Sequence, residues 1–358
     1  MSKSFMIGNE ALGEAAVRAG CRFYSGYPIT PQTEIGEYLA KRMPEVGGVF
    51  IQGESETASI SMVYGAASTG VRAMTSSSSC GILLKLEGLS YIAMANVPCV
   101  IVNVSRGGPS VGYILPTQSD YLMSTKAPGN GGLKIIVLAP DSVQEAVDMV
   151  PRAFEYAERD RHPVMILMDG CIGMMMDHVE LPEMRERVVE DFGWNITGSS
   201  ESRERRLVHA IPIGAEVGLE ALNIKMGEMH ERWAKNDAQW EEYNCDDADV
   251  ILVAYGISAR VCKGAINVVR QSGIKAGLIR PITLNPFPSV PLEKLDPKKI
   301  KRIVCVEMAI PSQIIDDVRL AVKCRIDVDC FNRSGGVVVN ADEVSEFLLR
   351  TANRKVVG

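Results

Sequence analysis

The sequence predicts an α/β protein built on a doubly wound parallel sheet, followed by a second α/β domain. Three observations carry that expectation. Short strand patterns alternate with helical ones through residue 170, the signature of a parallel sheet with helices on both faces. Residues 99–104 form a run rich in β-branched side chains, as expected of a strand covered on both sides. The turns after these strands concentrate glycine, serine and proline, at the edge where open α/β sheets bind ligands. A length of 358 residues allows two cores. The composition pattern places a first domain over 1–180, a charged linker with a long helix over 181–247, and a second domain over 248–358.

Residues 6–20 read as an Ala-rich amphipathic helix that closes with Gly20 at the C′ position. Residues 21–24 form a short strand that opens into Ser25-Gly26-Tyr27-Pro28-Ile29-Thr30-Pro31. Pro28 and Pro31 fix φ and stiffen this loop, so Thr30 is held in place. Thr30 could also cap a helix over 32–42, with Pro31 at its first position. A strand over 48–52 leads into Gly53-Glu54-Ser55-Glu56-Thr57, and a helix over 57–69 leads out. Ser55 suits an N-cap, which puts Glu56 in the first turn at the positive end of the dipole. Acidic residues in first turns are ordinarily caps, and this segment alone does not separate that role from a chemical one.

A strand over 71–75, a polar turn at Ser76–Ser79 and a helix over 82–95 come next. The strand over 99–104 ends in Ser105-Arg106-Gly107-Gly108-Pro109-Ser110. Glycines there permit close backbone approach to a ligand, and Arg106 offers a planar cationic fork. This is not GxGxxG, and an arginine at a strand end is often a surface ion-pair residue. Strands over 134–139 and 164–168 flank a helix over 143–159. Met174-Met175-Met176 reads as an adaptable packing or interface patch.

The region 180–247 is charged and carries Gly198-Ser199-Ser200-Glu201-Ser202, a flexible-linker composition. Residues 216–243 show helical spacing with exposed-looking Trp233 and Trp240. The second unit then reads as strand 249–255, helix 258–273, strand 276–279, a turn over 280–288, strand 302–307 and a last strand over 327–332.

Charge and cysteine usage narrow the function. A net charge of −6 gives no support for nucleic acid or an anionic membrane as partner. No stretch reaches membrane-spanning length, and no signal-like segment opens the chain, so a cytoplasmic protein with reduced thiols is expected. The nine cysteines include no CxxC pair. Most lie in apolar runs and read as core residues, so this chain is not expected to hold an iron–sulfur cluster or a metal.

Gly8-Asn9-Glu10-Ala11, Tyr27-Pro28-Ile29-Thr30-Pro31, Glu54-Ser55-Glu56, Arg106-Gly107-Gly108-Pro109-Ser110 and Arg280-Pro281-Ile282-Thr283-Leu284-x-Pro286-Phe287-Pro288 occur together and in order. That set resembles the α subunit of the 2-oxoacid:ferredoxin oxidoreductases, thiamine-diphosphate enzymes, nearest the 2-oxoisovalerate (3-methyl-2-oxobutanoate) type. The resemblance runs over essentially the whole chain. It implies a pyrimidine-binding domain followed by a transketolase C-terminal-like domain.

By that resemblance Glu56 matches the carboxylate that bonds N1′ of the aminopyrimidine. A carboxylate there gives the 4′-nitrogen the basicity to take the thiazolium C2 proton. Glu54 is the near competitor. Pro28, Ile29 and Ser79 match cofactor contacts, and Thr30 and Arg106 match substrate contacts. Cys80 departs from the proline frequent in the family's Ser-Pro-Gly turn, and Pro311-Ser312-Gln313 stands where Gly-Gly-Gln is common.

No Gly-Asp-Gly followed by a distant asparagine appears, the pattern such enzymes use for diphosphate and Mg²⁺, nor does a ferredoxin cysteine set. The resemblance therefore implies a shared site. This chain would hold the pyrimidine half of thiamine diphosphate, a β subunit the diphosphate and Mg²⁺, and partner chains the iron–sulfur clusters. A γ subunit, a ferredoxin-like δ subunit, ferredoxin and coenzyme A complete the expected set. The implied reaction is oxidative decarboxylation of a branched-chain 2-oxoacid to acyl-CoA, with 2-oxoglutarate or pyruvate as alternative substrates. A non-oxidative thiamine enzyme and a non-catalytic scaffold of the same fold are the other readings. Residues 107–121, which follow Arg106 with Val111, Tyr113, Ile114 and Leu115, are expected to wall the substrate pocket.

Overall fold

The run of β-branched residues after Pro98 becomes the central strand Cys99–Gly107, every residue of it buried. In the computed structural model, which describes residues 3–186, 191–199, 205–211 and 216–351, this strand lies in the middle of the first sheet. From one edge the order is Thr283–Asn285, Ile136–Leu138, Pro163–Asp169, Cys99–Gly107, Ala73–Ser77, Phe23–Gly26 and Val49–Gln52. All these pairs are parallel except the first, and Tyr113–Pro116 folds back antiparallel on the end of Cys99–Gly107.

Alternation along the pleat sends side chains to two separate cores. Val100, Val102 and Val104 pack with Leu12 and Ala16 of the helix Gly8–Arg18 and with Val147 and Val150 of the helix Val143–Asp160. Cys99 and Ile101 face the other way, toward Ile60 and Val63 of Glu56–Ser68 and Ile82 and Leu89 of Cys80–Met94. Helices on both faces make the sheet doubly wound, as the sequence predicts.

The second sheet runs Trp240–Tyr243, Ala276–Pro281, Val250–Val253, Arg302–Glu307 and Val328–Asn332, parallel apart from its first strand. Here the structure corrects two expectations. The helix expected over 216–243 is Glu216–Asn236, and Trp240–Tyr243 is an edge strand. Trp233, which looked exposed, is 1% exposed, and its indole Nε1 donates to Asp160 Oδ2 at 2.7 Å. A helix with charges on most sides still buries one large ring where a neighbouring acid satisfies the indole. Trp240 is half-buried. Of the flexible-linker stretch, Ser200–Ser202 lie outside the described residues.

A third expectation fails more usefully. The stretch read as a turn at 280–288 carries Thr283–Asn285, which pairs antiparallel with Ile136–Leu138 and so completes the edge of the first sheet. Buried polar contacts tie the two units as well. Gln118 Nε2 donates to Tyr255 O (2.7 Å), Ser258 Oγ to Gln118 Oε1 (2.6 Å), and Ile257 N to Asp169 Oδ2 (2.9 Å). The Met174–Met176 patch divides: Met174 and Met176 are exposed, and Met175 packs on the core. No helix among the described residues is long and apolar enough to cross a membrane.

Candidate active site

Four neighbouring parallel strands end at the same edge, and each delivers one of the sequence-selected segments. Cys99–Gly107 brings Arg106, Ala73–Ser77 leads to Ser79, Phe23–Gly26 opens into Pro28–Thr30, and Val49–Gln52 leads to Glu56. Residues spread over some 80 positions of chain are thus gathered by strand order alone.

The loop Tyr27–Pro31 is held by its own carbonyl groups. Asn9 Nδ2 donates to Pro31 O (2.7 Å), Gln32 Nε2 to Tyr27 O (3.1 Å), and Arg106 Nη1 to Thr30 O (2.8 Å). Asn9 is fully buried and also donates to Glu34 Oε2 at 2.8 Å. The loop leaves Pro28 and Thr30 exposed and Ile29 half-buried. Thr30 does not cap the following helix: that helix is Thr33–Glu45, with Gln32 at the cap position and no side-chain cap.

Ser55 does cap its helix, accepting from Ala58 N at 3.1 Å. The two acids beside it separate cleanly. Glu54 is exposed, whereas Glu56 is 5% exposed in the first turn. Among the described residues no hydrogen-bond donor meets the Glu56 carboxylate. A side chain at Gly81 would clash with it, since a Cβ there would lie 2.4 Å from Glu56 Oε1 and 2.2 Å from Ser77 Oγ. Ser77 and Ser78 each carry a buried hydroxyl without a partner. A buried acid and two orphaned hydroxyls around a glycine form a small polar cradle, the arrangement that a heterocycle with nitrogen donors and acceptors would complete.

Ser79 sits beside this cradle with φ at +35°, a strained value for a residue with a side chain. Its Oγ donates to Asp120 Oδ2 (2.6 Å) and accepts from Arg106 N (2.9 Å), and Asn103 Oδ1 accepts from Ser79 N (3.1 Å). Burial pushes the Asp120 carboxyl up, against hydrogen bonds from Ser79 and Asn103 that pull it down. Ser79 is therefore an organiser of the turn as much as a surface for a ligand. Arg106 is 6% exposed, and its second nitrogen, Nη2, donates to Val111 O (2.9 Å) and toward Cys80 Sγ (3.2 Å). Its fork ties two loops together, and Nε is buried without a partner.

Sequence reasoning missed Gln32, Lys85, Asn103 and Asp120. Asp120 falls within residues 107–121, expected to wall the pocket, and Asn9 within the Gly8–Ala11 motif, but neither stands out there as a site residue. Lys85 is fully buried in the helix Cys80–Met94, with Nζ 3.0 Å from Thr75 Oγ1 and 3.4 Å from Glu56 O. Burial pulls its amine down to about 7, against the nearby Glu56 charge that holds it up. The hairpin side chains Val111, Tyr113, Ile114 and Leu115 are all exposed. Among the described residues no group of three or more acids, cysteines or histidines is placed to hold a metal.

Residues 14–213 match the family described as pyruvate flavodoxin/ferredoxin oxidoreductase, thiamine diphosphate-binding, and residues 248–344 match pyruvate:ferredoxin oxidoreductase core domain II. The chain is 42% identical to the ketoisovalerate oxidoreductase subunit VorB of Methanothermobacter thermautotrophicus, over 98% of this chain and 99% of that one. It is 34% identical to the 2-oxoglutarate synthase subunit KorA of Methanocaldococcus jannaschii, over 98% and 100% of the two chains. In fold it resembles the 2-oxoglutarate:ferredoxin oxidoreductase of Magnetococcus marinus, with a TM-score of 0.86 and 24% identity over 98% of this chain and 65% of that one. A split-gene transketolase shares the fold at a TM-score of 0.59 and 15% identity. Its near full-length match to curated oxidoreductase subunits, with two family profiles in order, places the chain in the 2-oxoacid:ferredoxin oxidoreductase family, as a subunit of such an enzyme.

Proposed function

We propose that this chain supplies the pyrimidine half of a thiamine-diphosphate site in a complex that oxidatively decarboxylates a branched-chain 2-oxoacid. The observation that carries the reading is Glu56, a buried carboxylate without a protein donor, set at a helix N-terminus beside orphaned hydroxyls. These groups fit the cofactor's ring. Glu56 would hold the proton at N1′, Pro28 and Ile29 would flank the ring, and Ser79 would fix the turn beneath it. Thiamine diphosphate, when bound, supplies the electron sink that decarboxylation of a 2-oxoacid needs. Thr30 is exposed and its carbonyl is held by Arg106, and these two residues would meet the substrate carboxylate.

The substrate reading rests on likeness to the ketoisovalerate subunit and on the exposed apolar hairpin residues Val111, Tyr113, Ile114 and Leu115. A 2-oxoglutarate enzyme must neutralise a distal carboxylate, and the hairpin carries no lysine or arginine between Gly107 and Tyr121. The KorA likeness supports 2-oxoglutarate as the second reading, with the cation on a partner. In the complex, a β subunit would carry diphosphate and Mg²⁺, γ and ferredoxin-like δ subunits would complete the iron–sulfur path to ferredoxin, and coenzyme A would accept the acyl group in the cytoplasm. Residues 1–180 would act as the pyrimidine-binding domain and 248–358 as the transketolase C-terminal-like domain.

The decisive assay compares kcat/KM for 2-oxoisovalerate, pyruvate and 2-oxoglutarate in the whole complex, with methyl viologen as acceptor. Preference for 2-oxoisovalerate supports the proposal, and a clear win for 2-oxoglutarate replaces it with the second reading. Aliphatic acids should differ by only about 1–3 kcal/mol per methylene. Calorimetry on the isolated chain tests the shared site: weak thiamine diphosphate binding is expected, and tight binding with Mg²⁺ alone contradicts it.

A further inference from the structure

Lys85 has no structural reason to be charged. Its helix is apolar around it, with Ile82, Leu83, Leu84 and Leu86 as neighbours in sequence. The side chain is fully buried, on the opposite side from the exposed Leu83 and Leu84. An ammonium in that setting is costly unless it is paired, and a methionine of similar length would fill the same space without that cost. Its location is worse still on local grounds, because the positive end of the helix Glu56–Ser68 disfavours a second cation nearby.

What Lys85 does touch is the candidate acid's own turn. Nζ donates to Glu56 O (3.4 Å) and to Thr75 Oγ1 (3.0 Å). The surrounding elements offer few other charges. The helix Glu56–Ser68 presents Glu56. The strand Ala73–Ser77 presents the neutral Thr75 and Ser77 hydroxyls. Asp169, at the end of Pro163–Asp169, is committed to the backbone N–H groups of Cys171, Ile172 and Ile257. On its own helix, Cys80 lies against Arg106, and Glu87 is bound to Tyr91. Burial lowers the Lys85 amine, and the Glu56 charge is the opposing influence among the described residues.

We propose that Lys85 is a positioning residue for Glu56: its buried amine, bonded to Glu56 O and Thr75 Oγ1, pins the first turn of the Glu56 helix. The inference rests on the proposed role of Glu56 and deepens it, by naming what holds that acid in place.

The first measurement leaves the lysine in place. In protein labelled with [ε-¹³C]lysine, the Lys85 resonance should titrate close to neutrality, and the Glu56→Gln change should move its midpoint lower by at least about half a pH unit. An unchanged midpoint means the two groups do not communicate and overturns the proposal. The second measurement uses the whole complex and the rate of hydrogen–deuterium exchange at C2 of bound thiamine diphosphate. Lys85→Met should slow exchange by roughly tenfold to a hundredfold, while Lys85→Arg, which keeps a donor, stays near wild type. A merely structural lysine would lower stability in both variants and leave the exchange rate of the folded complex where it was, which overturns the proposal. The two readings fail separately. If Glu56→Gln leaves the exchange rate intact, the role of Glu56 itself is wrong. If Glu56→Gln abolishes exchange and Lys85→Met leaves the rate intact, only the Lys85 inference falls.

Discussion

The two sheets of this protein end in very different ways. At the carboxyl edge of the first sheet, Glu56 meets no donor among the described residues, Ser77 and Ser78 have hydroxyls unpartnered there, and Ser79 is held at positive φ. At the same edge of the second sheet, Arg280 Nε and Asn332 Oδ1 are buried without partners among the described residues, but the acid and the tyrosine hydroxyl are bonded. Glu307 accepts from Gln313 N (2.6 Å) and Ser312 Oγ (3.0 Å), Tyr255 OH donates to Gln118 O (2.9 Å), and Gly256 crosses at φ +56° close to Asp169 and Gln118. The first edge leaves a buried acid and two hydroxyls in want of a partner, whereas the second satisfies its acid within the unit and turns its tyrosine hydroxyl to the join. Buried polar groups left unsatisfied are expensive, so an edge that tolerates them is where a ligand belongs.

Substitutions can test that contrast. The largest effect should come from Glu56→Gln, which keeps shape and loses the shared proton. C2 exchange in the whole complex should slow by roughly 10²–10⁴, and Glu54→Gln should leave it near wild type. Loss on Glu54→Gln alone would transfer the role to the exposed acid.

The second edge should respond in stability instead. Burial lifts the Glu307 carboxyl from 4.5 to about 7. The folded protein thus holds this proton more tightly than the unfolded chain. That stabilisation is complete below about pH 4.5 and is lost as pH rises through about 7, a change on the order of 3 kcal/mol. Glu307→Gln has no such proton to lose, so its Tm relative to wild type should climb between about pH 5 and pH 8. A flat difference across that range would show that the carboxyl is not held protonated.

Arg106→Lys returns to the first edge with a smaller effect. An ammonium cannot span Thr30 O and Val111 O as the guanidinium does. Loss of one charge-assisted bond, about 1.5–3 kcal/mol, should lower kcat/KM for the 2-oxoacid by roughly tenfold to a hundredfold. Unaltered kinetics would mean the loop Tyr27–Pro31 needs no tether from this side. The smallest effect is expected from Ser55→Ala, which removes the helix cap. Chemical denaturation should register a loss of about 1 kcal/mol.

Much of this was legible in the sequence, and the exceptions share a cause. Glu56, Thr30 and Arg106 stand out because local chemistry marks them: a cap, a proline-bounded loop, a glycine-rich strand end. The doubly buried strand Cys99–Gly107 announces itself by β-branching. Lys85, Asp120 and Asn103 carry no such mark, since a charged or amide residue inside an apolar segment reads as surface until the tertiary partner is known. Trp233 misleads in the same way, because Asp160 lies 73 positions earlier in the chain. The strand Thr283–Asn285 hides within a proline-rich stretch whose local chemistry says turn, and only pairing with Ile136–Leu138 makes it a strand.

That last strand has a consequence for how the chain can be handled. Because the second unit lends three residues to the rim of the first, a fragment stopped ahead of residue 248 would bare the backbone of Ile136–Leu138, an all-apolar segment. Uncovered rims of that kind recruit copies of themselves. Such a fragment should come out of expression as aggregate, whereas the intact polypeptide carries its own built-in guard against self-association.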